Sequence, residues 1–385
     1  MVTGAYAPEI SSGGLQCQSM ARQLAGRVEV DVLTTAVDPG LSRRDMIDGV
    51  PVTRIVVDLA SGWSKFRAGC RMLSELFRLV PRADIVHIHG YSSKNVLVTF
   101  FAKLFRKPLV LSLHTAGFDE VQAIDRHGSL ALWAFFSPDL YLSVSPSLVD
   151  SYLASGLPAA NIRLIPNGID LTRFVPAGDR TAVRARLQLP DTRPIIVFVG
   201  FFSHDKQPRV LFDAWCELHA RGMATTLVFV GATRSAYFEV DNEIAEEMVR
   251  DAEARGLRNA LVFAGATLDV PDYLGAADLF VLPSRREGLP VALLEAMACG
   301  LPCIASRLAG STDTIITDGD NGLLVPPGDV PALTAAIASL LGDPARAAGL
   351  GARARATVEA RFASSAVADR WLEAYDQVLA RHSPA

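Results

Sequence analysis

The chemistry of this chain is concentrated in Pro283-Ser-Arg-Arg-Glu-Gly-Leu-Pro-Val-Ala-Leu-Leu-Glu-Ala-Met-Ala298, where Glu287 and Glu295 stand eight residues apart. Paired carboxylates can touch one ligand laid between them, or act as acid and nucleophile or base in glycoside cleavage. The local pattern constrains how they are held. Asp278-Leu-Phe-Val-Leu282 reads as a buried strand, and Pro290 suits the first position of a helix, where its missing N–H costs nothing. Leu289, before the proline, is biased away from helical angles, which leaves Glu287 in the turn. Glu295 then lies roughly 7 to 8 Å behind the helix N-terminus, at about 1.5 Å per residue. Between the carboxylates, the helix dipole and free N–H groups of the turn favour an anion such as phosphate.

Other residues carry weaker chemical signals. Gly13 and Gly14, at the mouth of an amphipathic run from Leu15 to Leu24, permit close approach of backbone to phosphate. His114 ends the apolar run Leu109–Leu113, a position at which open sheets bind ligands. His87 and His89 alternate on a strand and share a face; with no third ligand nearby they read as structural or site-lining. Lys206 follows the strand ending at Gly200 and is placed to meet a diphosphate. Asp318-Gly-Asp320 has the spacing of a divalent-metal pair, but it sits in the turn-rich run Thr317–Gly322 and reads as a tight turn.

The elements that must position these residues alternate regularly. Strands are expected at 28–34, 53–57, 85–89, 109–113, 140–144 and 162–165, after a first strand of which Met1-Val-Thr is the end. Turn-rich sequence from Ile165 to Pro176 and charged sequence up to Pro194 read as a linker. A second cycle has strands at 194–200, 226–231, 261–265, 279–282, 303–305 and 322–325, with helices from Arg209, Val240, Val270, Pro290 and Val330. This rhythm specifies α/β architecture, two helix-wrapped parallel sheets. The expected domains are 1–176 and 190–362, and the closing helix, 363–385, has an apolar stripe that packs back on the first domain.

Composition limits the functional classes. The 385 residues are half hydrophobic and one fifth charged, with net charge -4, which argues against nucleic acid as the main partner. No run reaches the roughly 18 apolar residues of a membrane span and no signal segment opens the sequence, so a cytoplasmic location is expected. Five scattered cysteines (Cys17, Cys70, Cys216, Cys299, Cys303) read as reduced, buried thiols. The stretch Trp63–Arg82 is basic and aromatic, with Glu75 its one acid, and suits an anionic membrane surface at the inner face as well as an ordinary solvated face.

In order, Gly13-Gly14, His114, Val144-Ser145, Pro166–Asp170, Lys206, Asp278–Ser284, Glu287-Gly-Leu-Pro to Glu295 and Asp318–Gly322 resemble retaining glycosyltransferase family 4, of the GT-B fold. The resemblance spans nearly the whole chain. It implies two Rossmann-like, doubly wound parallel-sheet domains facing a central cleft, with a nucleotide-diphosphate sugar on the second and the acceptor on the first. It also implies that Glu295 holds the ribose, Glu287 the donor sugar, and Lys206 with Gly288, Leu289 and Val291 the diphosphate. Gly13 and Gly14 would complete the anion cradle, and His114 would contact the sugar near the reacting carbon, with cleft closure assembling the site. No cofactor and no metal are implied.

Phe201 stands where the family commonly has arginine, five residues before the lysine, and Asp313 where glutamate is expected. Arg209, Arg285 and Arg286 are the candidates to replace the lost phosphate-binding charge. The expected reaction moves a hexose-type sugar to a hydroxyl of a lipid-linked or polysaccharide acceptor. The alternatives are a glycosidase, a nucleotide-sugar epimerase of similar fold, and a sugar-nucleotide-binding protein with weakened catalysis.

Overall fold

The computed structural model describes residues 1–9, 12–234 and 240–382. Ile10 and Ser11, before the glycine pair, and the last three residues of the expected closing helix lie outside the described residues. The chain divides into two compact units, Met1–Gly168 with Ser364–Ala385, and Ile169–Ala363.

The first unit runs β1 (Val2–Thr3), α1 (Ser12–Leu24), β2 (Val32–Ala36), β3 (Arg44–Ile47), β4 (Val50–Val56), α2 (Gly62–Leu79), β5 (Val86–His89), α3 (Asn95–Leu104), β6 (Leu109–Leu113), α4 (Val121–Asp125), α5 (Ser129–Phe136), β7 (Leu140–Ser143), α6 (Pro146–Ala154) and β8 (Ile162–Leu164). Its eight-stranded sheet has the order β3-β4-β2-β1-β5-β6-β7-β8. All pairings are parallel except β3 with β4. Strand order reverses at β1, and ligands of open α/β sheets bind outside the carboxyl ends of the strands at such a switch. The sequence did not signal β3: Arg-Asp-Met-Ile is largely exposed, as suits an edge strand protected by charge. β2 begins at Val32 rather than Val28 because the charged residues Glu29 and Asp31 precede the buried stretch.

The second unit contains α7 (Arg180–Arg186), β9 (Ile195–Val199), α8 (Pro208–Ala220), β10 (Thr226–Val230), α9 (Ile244–Ala254), β11 (Leu261–Gly265), α10 (Val270–Ala276), β12 (Leu279–Leu282), α11 (Val291–Ala298), β13 (Cys303–Ser306), β14 (Leu323–Val325), α12 (Val330–Leu341) and α13 (Pro344–Arg361). Its six strands are all parallel, in the order β11-β10-β9-β12-β13-β14, with the reversal at β9. A helix, α7, occupies part of the expected linker. Asp179 caps it through Ala182 N, and the buried Arg184 reaches Ala276 O and Asp278, so charged sequence here serves as internal struts. α9 starts at Ile244, after Asp241 has turned the chain by accepting from Glu243 N at 2.9 Å.

The chain closes with α14 (Ser364–His382), which belongs to the first unit. Its Val367, Trp371, Tyr375 and Val378 are buried with Met20 and Leu24 of α1. Four cysteines are buried as expected, but Cys70 is exposed because it lies on the outer stripe of α2. Among the described residues no helix is long and apolar enough to cross a membrane.

Gly231, just after β10, sits at φ 141°, and a Cβ there would fall 2.1 Å from Gly200 O. That contact is between backbones of adjacent strand ends, so no side-chain motion relieves it. Gly231→Ala is therefore expected to cost about 3 kcal/mol and to lower the melting temperature. A thermal denaturation curve superposing on the wild type would refute the tight approach.

Candidate functional site

In the second unit, β9 and β12 are neighbours at the switch point, and the loops that follow them are joined. Lys206 Nζ lies 2.7 Å from both carboxylate oxygens of Glu287, and Ser284 Oγ donates to Oε1 at 2.7 Å. Only 7% of the Glu287 side chain is exposed, so its charge is met by protein donors rather than water. Asp205 makes the second tie: its carbonyl accepts from Arg285 N at 2.7 Å and its carboxylate pairs with Arg285 and Arg286. Lys206, the residue expected to meet a diphosphate, thus has its ammonium on the Glu287 carboxylate.

The expected helix starts one residue later than its proline. Pro290 is the residue before α11, in extended geometry, and no side chain caps this helix. Gly288 and Leu289 are buried in the turn, and Val291 opens the helix. Glu295 lies in the fifth position of α11. Burial pushes its carboxyl up to about 7, opposed by the positive charge of Arg173. Arg173 in turn donates to Leu268 O at 2.8 Å and stacks on Phe174. The two glutamates therefore stand in different surroundings: Glu287 is paired with a lysine, whereas burial holds the Glu295 carboxyl above its ordinary range.

Phe201 is half-buried, and Phe202 beside it is fully buried against Phe198, Phe229 and Phe263. Of the substitutes for the lost arginine, Arg209 is committed to Asp213 and Asp251 at 2.9 and 2.6 Å, along α8 and α9. Arg285 and Arg286 remain at the site, each balanced by Asp205. Asp318 accepts from Leu324 N and pairs with Arg307, while Asp320 pairs with Arg353, which accounts for this triplet as a turn. Asp313 lies in a short 3-10 helix after Ser311.

In the first unit, Gly13 and Gly14 form the first turn of α1. A Cβ on Gly13 would stand 3.4 Å from His89 O and 3.9 Å from His114 Cδ2, so glycine lets the helix start lie directly on the end of β5. His114 is buried; its Nε2 is 3.3 Å from His89 Nδ1, and the rings stack with centroids 5.5 Å apart. His87 stacks on the other side of His89 and is held by Tyr375 Oη and Ser112 Oγ at 2.6 and 2.8 Å. Burial drives all three below the ordinary histidine range, His114 to about 4, so this row is neutral at physiological pH. His114 Nδ1 and His89 Nε2 are buried without a hydrogen-bond partner among the described residues.

Two polar residues here gave no sequence signal. Asp119 accepts from Tyr91 N, His114 N and Thr115 N at 2.6 to 2.8 Å, fixing the loops after β5 and β6 and the backbone of His114. Lys94 places its ammonium on Thr3 O and Thr35 Oγ1, both at 2.9 Å, at the carboxyl ends of β1 and β2. Neither belongs to a spacing motif; each is recognisable only from the approach of segments distant in sequence.

The raised carboxyl of Glu295 has a pH signature. Unfolded, it titrates near 4.5; folded, near 7, so the folded chain retains a proton that the unfolded chain releases between those values. Stability from this group is present below the lower value and is lost as pH rises through the upper. Glu295→Gln is expected to melt close to wild type at about pH 4 and to gain on it by up to about 3 kcal/mol near pH 8. A difference in melting temperature that does not grow with pH would contradict the assignment.

Comparison with known proteins places the geometry in context. Residues 14–173 match the family model Glycosyltransferase Family 4, and residues 179–357 match Glycosyl transferases group 1. The chain is 31% identical to a D-inositol 3-phosphate glycosyltransferase of Kineococcus radiotolerans, over 94% of this chain and 89% of that protein. It is 34% identical, over 51% of this chain and 52% of the relative, to a GDP-mannose-dependent alpha-(1-6)-phosphatidylinositol monomannoside mannosyltransferase of Mycolicibacterium smegmatis. In fold it is similar to HepE of Anabaena, solved in complex with UDP, with a TM-score of 0.77 at 20% identity over 98% of each chain. With two parallel-sheet α/β units and sequence matches covering both, the chain belongs to the group 1 glycosyltransferases of family 4, proteins of the GT-B fold.

Proposed function

We propose that this glycosyltransferase moves a hexose-type sugar from a nucleotide-diphosphate sugar to a hydroxyl of a lipid-linked or polysaccharide acceptor, retaining the anomeric configuration and using no metal. The observation that carries the reading is the Lys206–Glu287–Ser284 cluster beside the uncapped start of α11. A cation and a helix N-terminus form an anion seat, with one carboxylate at the seat and Glu295 further along the same helix. The GDP-mannose dependence in one relative's name and the UDP bound to the Anabaena protein support a nucleotide-diphosphate sugar here. That relative's phosphatidylinositol mannoside acceptor, and the basic aromatic α2, support a lipid-linked acceptor at the inner membrane face.

In this reading the diphosphate draws Lys206 away from Glu287, which frees that carboxylate to accept hydrogen bonds from donor sugar hydroxyls. Glu295 binds the ribose hydroxyls. The backbone of the 288–291 turn and Lys206 hold the charge that grows on the leaving diphosphate as the glycosidic bond breaks, which is why no metal is required. The neutral His114 offers its unpartnered Nδ1 to a sugar hydroxyl, and Gly13 and Gly14 present backbone to an anion. The acceptor attacks from the face the diphosphate leaves, and a diphosphate oxygen takes its proton.

A second reading, a sugar-nucleotide-binding protein with weakened catalysis, is motivated by Phe201 and by the pairing of Arg209, Arg285 and Arg286 with acids. A thermal-shift screen against nucleotide sugars followed by product analysis separates the two: binding without transfer or slow release of sugar supports the second. Lys206→Ala is expected to lower kcat/KM for transfer about 100-fold or more, and wild-type-like rates would remove the anion seat. Phe201→Arg is expected to tighten donor binding about tenfold by adding a charge-assisted hydrogen bond; unchanged affinity would show that the phosphate does not reach this position.

A further inference from the structure

The outer surface of the first unit carries an exposed apolar face on three helices, α2, α3 and α5. α2 buries Ala68, Met72 and Leu76 on one side and exposes Trp63, Phe66, Leu73 and Phe77 on the other. Phe77 packs on Phe101 of α3, and α3 exposes Phe100 and Leu104. α5, Ser129-Leu-Ala-Leu-Trp-Ala-Phe-Phe136, has no charged residue and exposes Leu130, Trp133 and Phe136, Leu130 by 67%. Between α3 and α5 lies an open hollow of about 430 Å³, lined by Val96, Leu97, Phe100, Leu130 and Trp133. A soluble surface ordinarily scatters its large apolar residues; grouping them on adjacent helices marks a contact site.

Charge selects the occupant. From Gly62 to Lys107, leaving out Lys94, whose ammonium is held at the ends of β1 and β2, there are eight basic residues and two acidic, 8 − 2 = +6, in a chain whose net charge is -4. Glu75, one of the two acids, is already paired with Arg78. Arg43, Arg67 and Arg71 are close enough that the charge of Arg43, then burial and the charge of Arg67, hold the Arg71 guanidinium below its ordinary range. Two copies of this chain joined through the same face would oppose like charges, since a two-fold interface brings a patch against itself. Apolar side chains edged by arginine and lysine instead match an acyl layer beneath anionic headgroups.

We propose that the outer faces of α2, α3 and α5 together form the seat by which this chain lies on an anionic lipid bilayer, with α5 and its hollow in the acyl layer and the arginines of α2 on the headgroups. The seat rests on the reading of a membrane-borne acceptor and extends it from α2 to a three-helix surface. Its test uses neither donor nor acceptor, so its failure leaves the transfer reaction standing, and loss of transfer leaves the seat standing.

The chain has four tryptophans, of which Trp215 and Trp371 are buried and Trp63 and Trp133 are exposed, both on this face. With vesicles of phosphatidylglycerol and phosphatidylcholine in equal parts, at low salt, the protein is expected to co-sediment, and phosphatidylcholine alone or high salt is expected to release it. In Trp63→Phe, emission from Trp133 is expected to shift to the blue and to be quenched by brominated lipid. Leu130→Asp with Trp133→Asp is expected to weaken vesicle binding about tenfold or more through lost insertion, and Arg67→Glu with Arg71→Glu about tenfold or more through lost charge. Each variant is checked for an unchanged melting temperature. Absence of vesicle binding, equal binding to neutral vesicles, or bound protein whose Trp133 is untouched by brominated lipid would overturn the proposal. So would a dimer that shields Trp133 from acrylamide without lipid.

Discussion

The ion pair between Lys206 and Glu287 sets the geometry of the second unit's ligand end. The two residues are 81 positions apart, yet β9 and β12 are neighbours, so the loops leaving them meet at the switch point of the sheet. Glu287 is almost shielded from water, and a buried carboxylate is tolerated only when its charge is met. Lys206 and Ser284 meet it, and Asp205 repeats the stitch with Arg285 and Arg286 a few residues away. Eight residues on, Glu295 has no such partner among the described residues, and burial raises its carboxyl to about 7. Equal side chains on one short segment thus acquire different chemistry from what stands opposite them.

In the first unit the organising constraint is the carboxylate of Asp119. Three backbone N–H groups converge on it, from the loops after β5 and β6, and their donation offsets part of the cost of burying it. His114 is fixed through its own backbone, while its ring is left to stack on His89 and to keep one nitrogen without a partner among the described residues. The row continues through His87 to Tyr375, which ties the last helix of the chain to the central strand of this sheet. Closing the fold and presenting the histidine are therefore parts of one buried network.

The strands that were legible in the sequence are those buried on both faces. β6 and β12 fall where the apolar runs Leu109–Leu113 and Leu279–Leu282 put them, since a parallel strand covered by helices has no polar face to confuse its pattern. β3, α7 and α13 were not legible. β3 is an exposed charged edge, and α7 turns arginine inward to Asp278, against the expectation that charge marks a loop. α13 mixes alanine and arginine with a weak apolar stripe, of which Leu350, Ala354 and Val358 are buried. At the site, motif residues were legible by type and spacing. Their partners were not: Asp119, Asp205 and Lys94 act through contacts made by chain folding, and such contacts leave no periodic trace. Nor could spacing show that Arg209 pairs with Asp213 on its own helix and with Asp251 on α9.

Phe201 leaves the corner beside it with little surplus charge. The corner formed by Lys206, Arg285 and Arg286 carries three positive charges against two negative ones on Glu287 and Asp205, 3 − 2 = +1. An arginine at position 201 would make that balance +2; the phenyl ring instead adjoins Phe202, which is locked among Phe198, Phe229 and Phe263. An anion entering this corner meets little surplus charge until existing pairs open. Its binding must be shared between the N-terminus of α11, whose dipole is always present, and a lysine that has first to leave its carboxylate. The ligand that overcomes this is one that also replaces what Glu287 loses, by offering it hydroxyl donors. A diphosphate bearing a sugar does both, whereas a bare phosphate would only break the pair.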